Sequence, residues 1–261
     1  MILSTYSNRK DELEQPFSLL HSGPFAPAQV RLHLLPGLRA YSPEVQRLIE
    51  SAWADAGPHL WDGPVFSLLG SRVVDDTLRC DVQQTTYKAF YGANVRHCAD
   101  VPDKADLPNS LACCCICQTT DDYILVGLRS NTVAEDQLIW HIPGGNLDDL
   151  SAGDAAPFVQ IRREVEEEAH VSEEHIAALC CLGMGRSLRT WKPEFLFHAQ
   201  LTLSAEELRA RLAHAEDAAE HTRWELVPTH NMARFAAQHS FSPIGLAAIT
   251  LWRRLLRGEA V

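Results

Sequence analysis

Three glutamates, Glu164, Glu167 and Glu168, fall within the run Ile161-Arg-Arg-Glu-Val-Glu-Glu-Glu-Ala-His-Val171. On a helix they stand at i, i+3 and i+4 along one face, while Ile161, Val165 and Ala169 form an apolar seam on another. Like charges at that spacing repel, so such a face is either fully solvated or shared with a cation. Hard divalent ions such as Mg2+ or Mn2+ take carboxylate oxygens of this kind, together with water and substrate phosphate. Composition alone favours the solvated face. The segment upstream shifts the balance, because Pro143-Gly144-Gly145 follows a strand and precedes the acidic helix. Consecutive glycines there allow positive φ and close approach of the backbone to a ligand. Arg163, beside Glu164, is placed to orient that carboxylate.

These residues need elements to hold them. After Asn109 the pattern runs strand, Thr-Thr-Asp-Asp turn, strand (123–129), a strand ending at Trp140-His-Ile-Pro-Gly-Gly, and a helix from about 156 to 170. Strands near 180–184 and 194–203 follow, then a helix near 205–213, a strand near 224–228, and helices near 232–238 and 243–257. The first hundred residues read as an edge strand (29–35) and a turn at Pro36-Gly37. Ser42-Pro43-Glu44 then looks like an N-cap opening a helix to about Ala54. Two strands joined by an Asp-Asp turn come next, with a short helix that starts at Tyr87 and breaks at Gly92. Mixed strands with helices on the faces mean an α/β (α+β) fold. A boundary is expected near residue 104, dividing an N-terminal α+β region, 1–104, from a core domain, 105–261.

The 261 residues, 46% hydrophobic and 22% charged, suffice for one large domain or two modest ones. A formal charge of −11 argues against a nucleic-acid groove, which works by releasing counterions from a basic face. It excludes less for small phosphorylated ligands, because one or two arginines and a divalent ion invert the field locally. No stretch approaches the roughly 20 apolar residues of a bilayer span, and the opening MILSTYSNRKDELEQ turns polar too soon for a signal peptide, so a cytoplasmic protein is expected. Of the eight cysteines, 113, 115 and 117 alternate to one face of a strand. Two Cys-x-x-Cys knuckles from separate segments are lacking, and buried reduced thiols are expected rather than zinc.

Pro-Gly-Gly, a loop, and Arg163-Glu164-Val165-x-Glu167-Glu168-x-His170-Val171 together resemble the signature of the Nudix hydrolases, G-x5-E-x7-R-E-U-x-E-E-x-G-U, with U aliphatic. Three departures stand out: the loop after Gly145 is longer, Gly153-Asp154 replaces Gly-Glu, and His170 replaces the last glycine. Further elements, His59-Leu-Trp-Asp-Gly-Pro-Val-Phe and Tyr87-Lys-Ala-Phe-Tyr-Gly-Ala-Asn with Leu128-Arg-Ser, look like the subfamily of UDP-glucose and UDP-galactose diphosphatases. The resemblance spans roughly residues 45 to 257.

It implies a Nudix fold, a mixed β-sheet sandwiched between helices, with an N-terminal extension that contributes to nucleoside recognition. It implies Mg2+-dependent cleavage of a UDP-sugar to UMP and sugar 1-phosphate. Glu164 and Glu168 would hold metal, with Glu167 as a third ligand or water-mediated partner. Glu220 is the candidate general base, ahead of Glu216. Trp61, Tyr87, Arg129, Ala134, His141, Asn146, Asp148 and Ser242 match substrate-binding positions, with His141 and Asn146 differing in type from the usual residues. The expected partner is a small nucleotide sugar, with neither nucleic acid nor membrane. Two other readings stay open: the same core acting on ADP-ribose, NADH or coenzyme A, and a silent domain that only binds nucleotide or a protein partner.

Overall fold

The computed structural model describes residues 15–58, 60–213 and 220–258; His59, Glu216 and the polar N-terminal stretch 1–14 lie outside them. In chain order the main elements are β1 (Phe17–Phe25), β2 (Val30–Leu38), α1 (Pro43–Ala54), β3 (Pro64–Val74), β4 (Thr77–Thr86) and α2 (Tyr87–Ala89). Next come β5 (Ala112–Gln118), β6 (Tyr123–Arg129), β7 (Trp140–His141), β8 (Gly144–Asn146) and α3 (Ala156–Ala169). The chain ends with β9 (Ile176–Ser187), β10 (Pro193–Leu201), α4 (Ala205–Leu212), β11 (His221–Pro228), α5 (Met232–Gln238) and α6 (Pro243–Leu256). This is the expected mixed α/β architecture.

Eight strands form one sheet in the order β1-β9-β10-β5-β6-β11, with β7 on β6 and β8 on β5. The β10–β5 pair is parallel and its neighbours are antiparallel, so the sheet is mixed. Strand β5 shows why the cysteines alternate. Cys113, Cys115 and Cys117 pack with Ile161, Val165 and Ala169 of α3, whereas Cys114 and Ile116 pack with Ile244, Ala248 and Leu251 of α6. A strand buried on both faces reads as a continuous apolar run. All eight cysteines are free, and seven are buried. The apolar seam of α3 therefore lies on the sheet, with Glu164 and Glu168 along its flank toward β8 and Glu167 turned to solvent; Phe158 meets Phe197 edge-on at 5.0 Å.

A second, three-stranded sheet, β2-β4-β3, places Phe66, Leu68, Leu78, Cys80 and Val82 in the same core cluster as α3. Strand β1, from the first hundred residues, pairs with β9 in the large sheet. Asp75 and Asp76, at φ 49° and 56°, make the tight β3–β4 turn, whose paired left-handed residues match the twist of the strands. Ser42 caps α1 by accepting from the Val45 amide at 3.3 Å.

The helix expected to break at Gly92 does not break there. From Tyr87–Ala89 it continues as a π-helical stretch, Phe90–Arg96. Gly92 is a crossing point, since a Cβ there would stand 2.7 Å from the Ile49 Cα of α1. The glycine marks close helix packing, a tertiary cause that local propensity does not carry. Pro36-Gly37 likewise lies inside β2, where the ladder shifts register between Leu35 and Leu38, and makes no separate turn. Among the described residues no helix is long and apolar enough to cross a membrane.

Candidate active site

A cavity of about 1320 Å³ opens between the C-terminal half of α3, the ends of β6 and β10, and the loop before β3. Of the residues singled out in the sequence, Trp61, Tyr87, Arg129, Ala134, His141, Asn146, Asp148, Glu164, Glu167 and Glu220 line it. Glu168 and Ser242 do not.

Ser242 is fully buried behind His141, with its Oγ 2.6 Å from the His141 Nδ1. Glu168 is held under the Pro143-Gly144-Gly145 turn, where one of its oxygens accepts from the Gly144 amide at 3.3 Å. The glycines of that turn adopt no positive φ among those recorded. They belong to β8, and a Cβ at Gly144 would collide with the Cys113 carbonyl, while one at Gly145 would collide with the Glu164 carboxylate. The close approach expected toward a ligand is thus made first to the protein's own strand and its own acid.

Arg163 does not touch Glu164 directly. It donates to Asp148 Oδ1 at 2.6 Å and to Gln160 Oε1 at 2.9 Å, and Gln160 in turn donates to Glu164 Oε1 at 2.5 Å. Gln160, one turn before Glu164, is therefore the residue that orients it. Arg163 also lies 3.8 Å from Glu167, whose side chain is mostly exposed. Asp154 does not enter the cavity: it accepts from the Leu32 amide at 2.8 Å and pairs with Arg31, pinning the start of α3 to the edge strand β2. His170 occupies the C-cap of α3 at φ 54°, ψ 35°. That left-handed position is where a glycine is favoured, so the helix ends as the signature expects, with a bulkier residue.

Burial pushes Glu164 up to about 7, helped by repulsion from Glu167 and Glu220 and opposed by Gln160 and Arg163. Burial raises Glu168 well above the ordinary range, with Glu220 and Glu164 adding to it and Arg129 opposing. Among the described residues neither acid forms an ion pair with lysine or arginine; the nearest basic group to Glu168 is His221 Nδ1 at 4.0 Å, and burial lowers that imidazole to about 3. Two buried carboxylates without a cation are costly. As they stand, no three His, Cys, Asp or Glu side chains among the described residues converge into a cage. Each acid has turned to a separate donor instead, Glu164 to Gln160, Glu168 to the Gly144 amide and Glu167 toward Arg163. The donor set, carboxylate oxygens on successive turns of one helix, fits a hard divalent cation in chemistry.

Across the cavity, Arg129 ends β6 with its side chain largely buried. Its Nε donates to the Glu135 carbonyl at 3.2 Å and an Nη lies 3.6 Å from Glu220. Sequence reasoning missed a neighbouring group, Lys192 between Glu135 (3.0 Å) and Glu194 (3.8 Å), all three lining the cavity. The available signal was Lys192-Pro-Glu194 opening an otherwise apolar strand; Glu135 was beyond reach because it lies 57 residues away.

The aromatic wall comes from two segments tied together. The Tyr87 amide donates to the Gly63 carbonyl at 2.9 Å, and the Lys88 amide to Asp62 Oδ1 at 2.8 Å. Tyr87 is mostly buried beside Phe90, and burial pushes its phenol up to about 12. Trp61 is 77% exposed and lies over Gly63 at the mouth.

No protein-family model and no curated protein sequence matches the chain. Solved structures give partial likenesses. DR0079 from Deinococcus radiodurans is 14% identical over 55% of this chain and 82% of its own, with a TM-score of 0.39. NrtR from Shewanella oneidensis is 19% identical over 56% and 63%, at 0.42. A MutT protein from Methanosarcina mazei Go1 is 16% identical over 57% and 94%, at 0.37.

Proposed function

We propose that the protein is a Nudix-type hydrolase that cleaves the diphosphate of UDP-glucose or UDP-galactose, releasing UMP and sugar 1-phosphate, with Mg2+ or Mn2+ as cofactor. One observation carries the reading. The α3 acids, two of them buried with no lysine or arginine paired to them among the described residues, meet the Pro-Gly-Gly turn at one end of a cavity that has an arginine across from them and an exposed tryptophan at its mouth.

Glu164, Glu168 and Glu167 are the residues that would hold the ion, and Gln160 keeps Glu164 in place for it. A bound divalent cation supplies Lewis acidity, neutralising charge on the diphosphate and lowering the pKa of a water. Arg129, a planar donor fork, holds a phosphoryl group bidentately. Glu220, on the cavity rim and 56% exposed, accepts the proton of the attacking water. Trp61 and Tyr87 offer flat faces to the uracil, and Asn146, Asp148 and Ala134 line the remaining wall. The first hundred residues supply both aromatics and so take part in specificity.

Release of the nucleoside monophosphate (UMP or AMP) from a panel of nucleoside diphosphate derivatives, with and without Mg2+, tests this reading. UDP-sugars are expected to lead the panel, with activity abolished in Glu168→Gln. Equal rates on ADP-ribose, NADH and UDP-glucose, or UDP-glucose binding without turnover in saturating Mg2+ and Mn2+, would overturn it.

A further inference from the structure

His141 sits on the cavity wall, 7% exposed, with Ser242 directly behind it. Two backbone bonds fix their relation: the Trp140 amide donates to the Ser240 carbonyl at 2.9 Å, and the Ser242 amide to the Trp140 carbonyl at 2.8 Å. The 2.6 Å contact between His141 Nδ1 and Ser242 Oγ is thereby set by strand register.

The hydroxyl decides which ring nitrogen carries the proton. Ser242 is the N-cap of α6, and its Oγ already accepts from the Gly245 amide at 3.0 Å. It is fully buried, and His141 Nδ1 is the one acceptor recorded for its hydrogen among the described residues. If Nδ1 carried a proton, that hydrogen would be buried without a partner, at the cost of an unmade bond. The hydroxyl therefore donates to Nδ1, and the ring proton resides on Nε2, on the side away from Ser242. Surrounding groups keep the ring uncharged: burial comes first, followed by the positive charges of Arg129 and Lys192, and the positive end of α6 acts in the same sense.

On the diphosphate reading given above, we infer that His141 is a neutral hydrogen-bond donor, locked in its Nε2–H tautomer, that bonds an oxygen of the bound diphosphate beside Arg129, and that Ser242 is the positioning residue that sets this tautomer. A neutral imidazole gives up no proton to the substrate. It stabilises charge that develops on the oxygen, as a preorganised donor does in other enzymes. The nearby Lys192 is already matched by Glu135 and Glu194, whereas His141 and Arg129 stand together on the cavity wall as donors available to an anion.

Imidazole 15N NMR on the full chain, paired with kinetics on UDP-glucose, tests the inference. The wild type should show His141 with Nδ1 bare and Nε2 protonated throughout pH 6 to 8, and the Nε2 proton should shift when a methylene-bridged UDP-sugar analogue binds. His141→Leu should lower kcat by about a hundredfold, the usual loss for one such donor, whereas His141→Gln, which keeps a donor, should recover about tenfold of it. Ser242→Ala should mix the tautomers and Ser242→Thr should restore one. An Nδ1–H tautomer in the wild type, or equal kcat for His141→Leu and His141→Gln, would overturn the inference. Should UDP-glucose not be cleaved at all, the functional reading fails separately, and the wild-type tautomer still decides the role of Ser242.

Discussion

Two buried carboxylate clusters lie at or just beneath the cavity wall, and they are balanced differently. Glu135 and Glu194 enclose Lys192, whose ammonium lies 3.0 Å from one and 3.8 Å from the other and 5.1 Å above the Phe90 ring. Glu164 and Glu168 are buried as deeply, yet among the described residues no lysine or arginine pairs with either. The protein supplies its own cation to the first cluster; on the proposed reading, the second is left to a divalent ion. The first holds together the 130s loop and the start of β10; the second, on the proposed reading, receives a ligand.

Changes at the two clusters should therefore separate activity from stability. Glu168→Gln is expected to reduce turnover by about a thousandfold or more, the several kcal/mol of charge stabilisation an ion supplies at tenfold per 1.36 kcal/mol. Its stability in urea without metal should be unchanged or raised, because a neutral amide replaces a buried acid. Lys192→Met should do the reverse in kind. It strands two buried acids and should cost about 3–5 kcal/mol of unfolding free energy, with Mg2+ giving no rescue. A Glu168→Gln variant that loses stability as Lys192→Met does would break the contrast.

Acidity offers a finer probe. Glu194 is raised to about 7, chiefly by burial and also by Glu135, with Lys192 opposing. The folded state thus holds a proton that the unfolded chain releases near 4.5, so this group's contribution to stability is full below about 4.5 and is lost as pH rises to about 7. Glu194→Gln should flatten the pH dependence of unfolding in that window by up to about 3 kcal/mol. A steeper dependence in the variant would show that the sign is wrong. The smallest effect is expected at the end of α3, where His170 holds a left-handed conformation. His170→Gly should stabilise by about 0.5–1 kcal/mol in urea titrations, with kcat unaltered; a loss of stability would mean that the imidazole has a packing role.

Much of this arrangement was legible before the fold was known, because its signals are local. The 3.6-residue period placed Ile161, Val165 and Ala169 on the sheet and gathered the acids on a separate face beside it. Alternation divided Cys113, Cys115 and Cys117 from Cys114, Ser42 marked a helix start, and Asp75-Asp76 marked a turn. What escaped depends on partners distant in the chain. Gly92 reads as a breaker until Ile49 is packed against it. Lys192 reads as a strand-end charge until Glu135 closes on it. Ser242 matched a site position, but only the fold shows that it stands behind His141, just as only the fold turns Asp154 toward β2.

Hydrolysis of UDP-glucose in isotopically labelled water with Mg2+ tests the central claim most directly. The account predicts UMP and glucose 1-phosphate, with the label in one of the two phosphates, and no products from Glu168→Gln. Recovery of intact UDP-glucose from the wild type under saturating Mg2+ and Mn2+ would contradict it.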